Sequence, residues 1–425
     1  MLFEAGNNCS YIKAASLNTK NVLIYIDLPG VLFIMNSREK FLSVMRMKDG
    51  DYSGAVIPKV EFGYWAGTIR RWFGEGLKMI EPVPQKISDG IAVMANKNIY
   101  SHMEKAGDVN VQPVFGLDQY LTKFPVNYSP MFAEEIIDKT ETHIIYKDEY
   151  GVLNKNDINI TSLPMELGHP VKDRKTWKEY KQYYTSDSIK KRLPPDWDAL
   201  AARLKDRDFP IRLGGTNGGF LGFPRQIMGL TNYMIALYDD PGLIDDICKT
   251  FLNFLLEYYG TICADVEVDC ILIWEDMAGK MGSLISPSHF KRFLTQGYKA
   301  IVSFAGDVGV DIILTDSDGY VEDLIPLIVE TGITGMYPFE RAAGNDMLRI
   351  RKNFPDFQLM GGIDKRVLFE GSSKEDIDAE LEIVRQLLKS GRYIPHIDHF
   401  VSQDCTWKNF TYYRNKLNNI IESWS

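Results

Sequence analysis

The sequence predicts an α/β fold, a (β/α)8 TIM barrel with an amino-terminal elaboration of helices and β-hairpins. The main observation is a regular alternation after Phe209, where each short apolar run is followed by a turn containing glycine or an acidic residue and then by an amphipathic helical pattern. Strands that alternate with helices indicate right-handed crossovers and a parallel sheet. Six such units favour a barrel over a doubly wound sheet, although closure does not show in a sequence. The six runs are 211–213, 270–274, 311–314, 333–337, 357–360 and 393–397.

Two further patterns support this organisation. Helical patterns fill the gaps between the runs, at 231–265, 287–308, 321–331, 346–354 and 374–390. Upstream, residues 111–163 alternate β-branched and polar side chains around glycine turns, which predicts antiparallel hairpins, while 37–77 has the spacing of helices. We therefore predict one barrel domain at 35–425, with the elaboration at 35–209 and the main barrel units at 210–425.

The first 34 residues are predicted to be an extension outside the fold. Residues 21–35 are apolar, but Asp27, Pro29 and Gly30 interrupt them and the stretch is shorter than the roughly 20 residues that span a bilayer. A signal peptide is the alternative, although no A-x-A-like cleavage site follows. Asn36 and Glu39 are typical of a helix start, which places the beginning of the domain there.

Composition excludes several classes of partner. The chain has 425 residues, 45% hydrophobic and 25% charged, as in ordinary soluble proteins and within the range of single barrels with insertions. Its net charge of -9 opposes binding to nucleic acid or to an anionic membrane. The 5 cysteines include no CxxC pair, so neither a disulfide framework nor a four-cysteine zinc site is indicated. We expect a cytoplasmic protein with a small-molecule substrate.

The turns after the apolar runs are the candidate functional positions. The carboxyl ends of parallel strands meet at one rim, where barrel and doubly wound enzymes place their active sites. A single acidic residue in such a turn is ordinarily solvated or caps a helix, so the signal is its recurrence in five of the six turns. These turns are 214–219, 275–276, 316–319, 340–341, 361–366 and 398–399.

Asp316, Asp318 and His399 form a candidate metal site at this rim. The two aspartates are two residues apart after one strand and point the same way if the chain stays extended. Two negative charges that lie so close together favour a bound cation or a shared proton between them. A neutral imidazole is a common third ligand of a metal ion. The alternative is structural: Asp318 and Gly319 make a turn, Asp316 caps the next helix, and the histidine is a packing residue.

The glycine-rich turn at 214–222 matches neither a phosphate-binding Walker loop nor a GxGxxG fingerprint. Its glycines allow the backbone to approach a ligand closely, which makes Asn217 and Gly218 candidate substrate-binding residues. An ordinary tight turn is the alternative.

In order, the turns resemble those of the uroporphyrinogen decarboxylase superfamily of (β/α)8 barrels. The similarity runs from about Ser37 to the carboxyl terminus and is strongest after Ile211. The segments that carry it are GFLGFPRQIMGL, IWEDMAGKMGSLISPSHFKRF, LTDSDGYVEDLIP, GMYPFERAAGNDMLRIRKNFP, LMGGIDKRVL and GRYIPHIDHFVSQD.

The resemblance implies one of two chemistries. Members are either decarboxylases of uroporphyrinogen that use no cofactor, or zinc methyltransferases that exchange methyl groups with a corrinoid protein or a thiol. The decarboxylases carry an RQAGR-type motif, whereas this chain has FGYWAGTIRRWFGEG, with Arg70 and Arg71 inside a helical pattern. The methyltransferases place His-x-Cys at one strand end and a further Cys near the last; here Asp316-Ser317-Asp318 and His399 stand at the matching positions.

Our leading hypothesis from the sequence is a metal-assisted, corrinoid-linked methyltransferase or demethylase that acts on a small methylated compound. A divalent metal, zinc by resemblance, would be held by Asp316, Asp318 and His399, and the methyl carrier would be a corrinoid on a partner protein. Relatives often dimerise, so a homodimer is expected. The proposed catalytic and substrate-binding residues are Glu275, Asp276 and His399, and Asn217, Gly218, Tyr337, Glu340, Asp364 and Arg366.

Two rival hypotheses stay open. In a decarboxylase of a tetrapyrrole or another carboxylate, Arg341, Arg366 or Arg70 would bind the acid groups. In a non-catalytic ligand-binding barrel, the acidic residues of the rim would serve as helix caps.

Overall fold

The computed structural model describes residues 35–47, 54–83, 92–94, 108–157 and 164–424. The predicted extension at 1–34 and the alternative of a signal peptide lie outside these ranges. Inside them, no helix is long and apolar enough to cross a membrane.

The described strands form one parallel sheet and several antiparallel pairings. In chain order they are β1 (Gly63–Trp65), β2 (Ala92–Met94), β3 (Thr122–Lys123), β4 (Glu135–Lys139), β5 (His143–Lys147), β6 (Leu153–Asp157), β7 (Met165–Gly168), β8 (Ile211–Leu213), β9 (Cys270–Trp274), β10 (Ala278–Gly279), β11 (Gly282–Ser283), β12 (Ile313–Asp316), β13 (Gly335–Tyr337), β14 (Gln358–Met360) and β15 (Tyr393–Ile394). Seven of them form the parallel sheet, in the order β15-β14-β13-β12-β9-β8-β3. The parallel α/β sheet predicted from the alternation is confirmed.

The helices lie between these strands in the predicted alternation. In chain order they are α1 (Ser37–Met45), α2 (Ala66–Glu75), α3 (Gln112–Phe115), α4 (Arg174–Tyr180), α5 (Ser186–Ile189), α6 (Trp197–Leu204), α7 (Gly222–Met228), α8 (Leu230–Asp239), α9 (Pro241–Cys263), α10 (Pro287–His289), α11 (Thr295–Asp307), α12 (Ile325–Val329), α13 (Met347–Asn353), α14 (Lys374–Leu388) and α15 (Trp407–Trp424). The helical pattern at 231–265 is divided because Asp240 caps a new helix whose first residue is Pro241.

Two predictions about the amino-terminal part have different outcomes. Antiparallel hairpins are confirmed, since β4, β5, β6 and β7 form a four-stranded antiparallel sheet. The continuous helical pattern at 37–77 is wrong: α1 ends at Met45, residues 55–62 are non-helical and mostly buried, and β1 precedes α2. The predicted helix start is confirmed by a capping box between Asn36 and Glu39.

The parallel sheet curls until its two edges approach each other. Tyr120 precedes β3 at one edge and His396 follows β15 at the other, yet the Tyr120 hydroxyl lies 3.4 Å from Nε2 of His396. Phe62 contacts both of these rings and also Tyr337 in the middle of the sheet. The arrangement resembles a TIM barrel, and closure into a complete (β/α)8 barrel stays a prediction.

The strand predicted at 311–314 lies two residues further along, at Ile313–Asp316. Asp316 is therefore the last residue of β12 and pairs in register with Trp274 of β9 and Tyr337 of β13. Because of this shift Asp316 belongs to the sheet, whereas Asp318 lies in the loop that follows.

Candidate active site

Asp316 is the most enclosed carboxyl of the candidate metal triad. Only 8% of the residue is exposed, and among the described residues its side chain has no hydrogen-bond or ion-pair partner. Burial, and then the charges of Asp318 and Asp276, raise the pKa of this carboxyl well above its ordinary value. Asp316 thus keeps its proton to a higher pH than an ordinary aspartate.

Asp318 and His399 meet at the rim, as the sequence predicts. Nε2 of His399 lies 3.5 Å from Oδ2 of Asp318. Burial acts to raise the pKa of Asp318, but the hydrogen bond and charge of His399 outweigh it, so the pKa is lowered. Asp318 is therefore a carboxylate at neutral pH and can orient the imidazole.

Asp276 lies beside these groups in a strained backbone conformation, with a φ of 54°. Arg225 donates to its carbonyl oxygen at 3.0 Å and to its Oδ2 at 3.1 Å. Burial, and then the charge of Asp318, raise the pKa of Asp276. The aspartates 276, 316 and 318 thus form one acidic cluster, with Arg225 and His399 as partners of two of its members.

The donor set is chemically suitable for a hard divalent cation, but the arrangement does not fit one. Throughout the described ranges, no three His, Cys, Asp or Glu side chains are grouped so as to hold a metal ion. Cys405, which follows the last strand, is not a thiolate: burial raises its pKa to about 12, and its Sγ lies 3.7 Å from the Lys365 carbonyl as a donor. Zinc stays a prediction of the resemblance, and the roles proposed below for Asp316, Asp318 and His399 do not depend on it.

The Glu275 side chain, predicted to be catalytic, is fully engaged with the protein, and its catalytic role stays a prediction. The residue is 0% exposed, and its carboxylate accepts hydrogen bonds from the backbone N–H groups of Phe220, Leu221 and Gly222 at 2.7 to 2.9 Å. The Tyr298 hydroxyl donates to it at 2.8 Å. Glu275 therefore ties the start of α7 to the end of β9, because a helix begins with N–H groups that have no partner within it.

The glycine-rich turn packs closely against protein. A Cβ on Gly218 would lie 2.8 Å from the Tyr128 ring, and one on Gly219 would lie 2.2 Å from the Glu275 carboxyl carbon. Asn217 has a φ of 63° and hydrogen-bonds Tyr150. The turn is therefore tightly packed, and the substrate-binding roles of Asn217 and Gly218 stay predictions.

The remaining predicted binding residues differ in their surroundings. Glu340 accepts from the backbone N–H of Gly319 at 3.0 Å and supports the loop that carries Asp318. Asp364 accepts hydrogen bonds from the backbone N–H and the guanidinium of Arg366, and it caps a single helical turn at Lys365–Leu368. Asp364 and Arg366 therefore satisfy each other, and neither is directed at a substrate by its contacts.

The arginines proposed to bind tetrapyrrole carboxylates are engaged with the protein. Arg341 lies 3.4 Å from Glu380, Arg366 lies 2.6 Å from Asp364, and Arg71 pairs with Glu75 at 2.5 Å and with Glu370 at 3.2 Å. Arg70, the third arginine proposed, lies within α2 and also has a partner, whereas Arg71 is its neighbour in the chain. Arg341 and Arg366 thus have their charges balanced by acidic residues of the protein.

Residues on the concave face of the sheet were missed by the sequence reasoning. Arg212 of β8, Tyr120 and His396 lie there with the predicted Tyr337. Burial lowers the pKa of His396 to about 4, so this imidazole is neutral, and its Nδ1 lies 2.8 Å from the Ile397 carbonyl. The sequence does contain a feature that could have identified Arg212, because it is a charged residue inside an apolar run that predicts a buried strand.

Comparison with known proteins identifies the family. The sequence profile described as Uroporphyrinogen decarboxylase (URO-D) matches residues 161–417, more than half of the chain. The chain belongs to the uroporphyrinogen decarboxylase family. No curated protein matches it significantly.

One solved structure supports the same fold. A methyltransferase from Methanosarcina mazei superimposes with a TM-score of 0.52 at 14% identity, covering 90% of this chain and 99% of its own. The 3-keto-D-glucoside 4-epimerase YcjR from E. coli also matches, at 13% identity over 60% of this chain and 96% of its own, but its TM-score is only 0.31. At 14% identity the match to the Methanosarcina methyltransferase supports the fold alone.

Proposed function

We propose that this member of the URO-D family is a methyltransferase that removes a methyl group from a small methylated compound and passes it to a corrinoid carried by a partner protein. Both methyltransferases and decarboxylases belong to the superfamily. The similarity of fold to the Methanosarcina methyltransferase is consistent with the first of these activities.

The acidic cluster is the observation that carries the proposal. A tetrapyrrole with many carboxylates requires several unpaired cations, because like charges repel strongly at short range in a partly buried site. Here Asp276, Asp316 and Asp318 lie together, while Arg341 and Arg366 are paired with acidic residues elsewhere. The arrangement favours a small substrate over a polycarboxylate.

The same residues provide what a leaving group needs in methyl transfer. When the acceptor attacks the methyl carbon, the bond from carbon to the substrate heteroatom breaks, and its electron pair stays on the heteroatom. That atom then requires a proton. We infer that Asp316, whose raised pKa lets it keep a proton, donates one, and that the Asp318 and His399 pair returns it.

Aromatic side chains cluster near the strand ends. Phe62 contacts the rings of Tyr337, His399 and Phe400. We infer that these rings limit the access of water, which strengthens electrostatic interactions in the site and protects a reactive methyl acceptor. A bound corrinoid would supply the nucleophile.

The proposal is tested by offering both chemistries to the purified full-length protein. Free cob(I)alamin, kept reduced with titanium(III) citrate, is mixed with methylated amines, methyl ethers and methyl thioethers, and methylcobalamin is followed by its absorption spectrum. In parallel, uroporphyrinogen is supplied and coproporphyrinogen is measured. We expect methylcobalamin with at least one donor and no coproporphyrinogen. Formation of coproporphyrinogen, or failure of the whole panel to methylate cobalamin, would contradict the proposal.

A further inference from the structure

Arg212 is a charged residue in a place that α/β barrels ordinarily fill with branched apolar side chains. It is the middle residue of β8, between Ile211 and Leu213, and it pairs in register with Cys270 of β9. Only 8% of the residue is exposed. A guanidinium buried in this way costs free energy unless a partner compensates it.

No described residue provides that compensation through a hydrogen bond or an ion pair. The Arg212 side chain has neither a hydrogen bond nor an ion pair within the part of the chain that the structure covers, and its Nε is fully enclosed without a partner. The two Nη atoms are not among the enclosed atoms, so the tip of the guanidinium keeps the residual exposure. Arg207 and Arg414, which are similarly buried, have carboxylate partners at 2.7 and 2.8 Å.

The groups around Arg212 complete a site for an anion. Its charge acts on the phenols of Tyr120 and Tyr337 and on the Asp316 side chain, which therefore lie within its electrostatic reach. The Tyr337 hydroxyl is also enclosed and lacks a hydrogen-bond partner among the described residues. Two buried donors without acceptors thus occur on one concave face, beside an acidic side chain that is also unpaired.

We propose that Arg212 binds a carboxylate of the substrate inside the curled sheet, with the Tyr337 hydroxyl as a second donor, so that the substrate is a small methylated carboxylic acid. The planar guanidinium fork matches a carboxylate. A phosphate dianion fits less well, because its second charge would face the cluster of Asp276, Asp316 and Asp318. The inference that the substrate carries a methyl group rests on the proposed function, whereas the assignment of the anion site does not.

Calorimetric binding to matched ligand pairs tests the site without requiring turnover. N,N-dimethylglycine is compared with N,N-dimethylethanolamine, and methoxyacetate with 2-methoxyethanol, so that only the carboxylate differs within each pair. We expect at least one acid to bind, and to bind at least about tenfold more tightly than its alcohol. Equal binding within both pairs, no saturable binding of either acid, or tighter binding of inorganic phosphate would overturn the assignment.

Variants locate the interaction. Arg212→Met should weaken binding of the acid by about a hundredfold or more, while Arg212→Lys, which keeps the charge without the fork, should weaken it by about tenfold. Arg349→Met, at an exposed ion pair with Glu322, is the matched control and should leave binding unchanged. Arg225→Met removes a second cation near the cluster, which pairs with Asp276. Loss of binding in Arg225→Met and not in Arg212→Met would refute the assignment.

Thermal unfolding distinguishes a binding role from a structural one. Because the unpaired charge destabilises the ligand-free protein, Arg212→Met should leave Tm equal or raise it. A lower Tm with unchanged binding of acids would show that Arg212 supports the fold instead. If acids bind but no methyl group is transferred, the proposed function fails and the anion site stands. If methyl groups are transferred from uncharged donors alone, the proposed function stands and the anion site fails.

Discussion

Glu275 is predicted to stabilise the fold, and its replacement provides a quantitative test. Its carboxylate accepts from three backbone N–H groups and from the Tyr298 hydroxyl. In Glu275→Gln the shape is kept, but the amide NH2 faces donors, so about two of the four lose an acceptor. At about 1 to 2 kcal/mol for each buried unsatisfied donor, the free energy of unfolding should fall by about 2 to 4 kcal/mol. The free energy of unfolding of a whole domain is about 5 to 15 kcal/mol, so this change is large.

Equilibrium unfolding in urea, followed by circular dichroism, measures this loss. Glu267→Gln is the control, because Glu267 is an exposed acid just before the same strand, β9, and its ion pair with Arg38 should contribute less than about 1 kcal/mol. If Glu275 were instead a catalytic acid, Glu275→Gln would remain within about 0.5 kcal/mol of wild type and lose turnover. That result would refute the structural interpretation.

Three further predictions follow from the site. Burial raises the pKa of Asp398 to about 6, so the folded state binds this proton more tightly than the unfolded state does. The free energy of unfolding should therefore fall by about 3 kcal/mol as pH rises from about 4 to 6. Asp398→Asn should remove this pH dependence when unfolding in urea is measured across that range. Gly219→Ala should destabilise the protein in thermal melts, because its Cβ would clash with Glu275, whereas Gly74→Ala meets nothing within 4 Å. Methyl transfer should survive dialysis against EDTA; loss of turnover that Zn²⁺ restores would show instead that Asp318 and His399 move to bind metal.

The elements that the sequence predicted well are those that local pattern determines. Six apolar runs mark six strands of the parallel sheet, since a buried strand needs no partner information to be recognised. The region around Phe62, Gly63 and Tyr64 was mistaken for a helix, because neighbouring aromatic residues also fit helical spacing. Only the pairing of β1 with distant residues reveals the strand.

The candidate site was predicted in part for the same reason. Asp318 follows β12 and His399 follows β15 of the same parallel sheet, and their meeting needs only the rule that such strand ends share a rim. The role of Glu275 depends on backbone groups 53 to 55 residues away, which no spacing rule supplies. Arg212 was missed because a single cation in a strand forms no motif; its significance lies in the absence of a partner among the described residues.

An enclosed acid at the end of β12 is proposed to assist methyl transfer, and the rate of cobalamin methylation by two matched variants measures its contribution. Asp316→Asn cannot donate a proton and should lower kcat by about a hundredfold or more. Asp311→Asn changes an exposed acid near the opposite end of the same strand, whose partner is Arg46, and should retain the wild-type rate. Equal rates in Asp316→Asn and wild type, or equal loss in both variants, would contradict this role of Asp316.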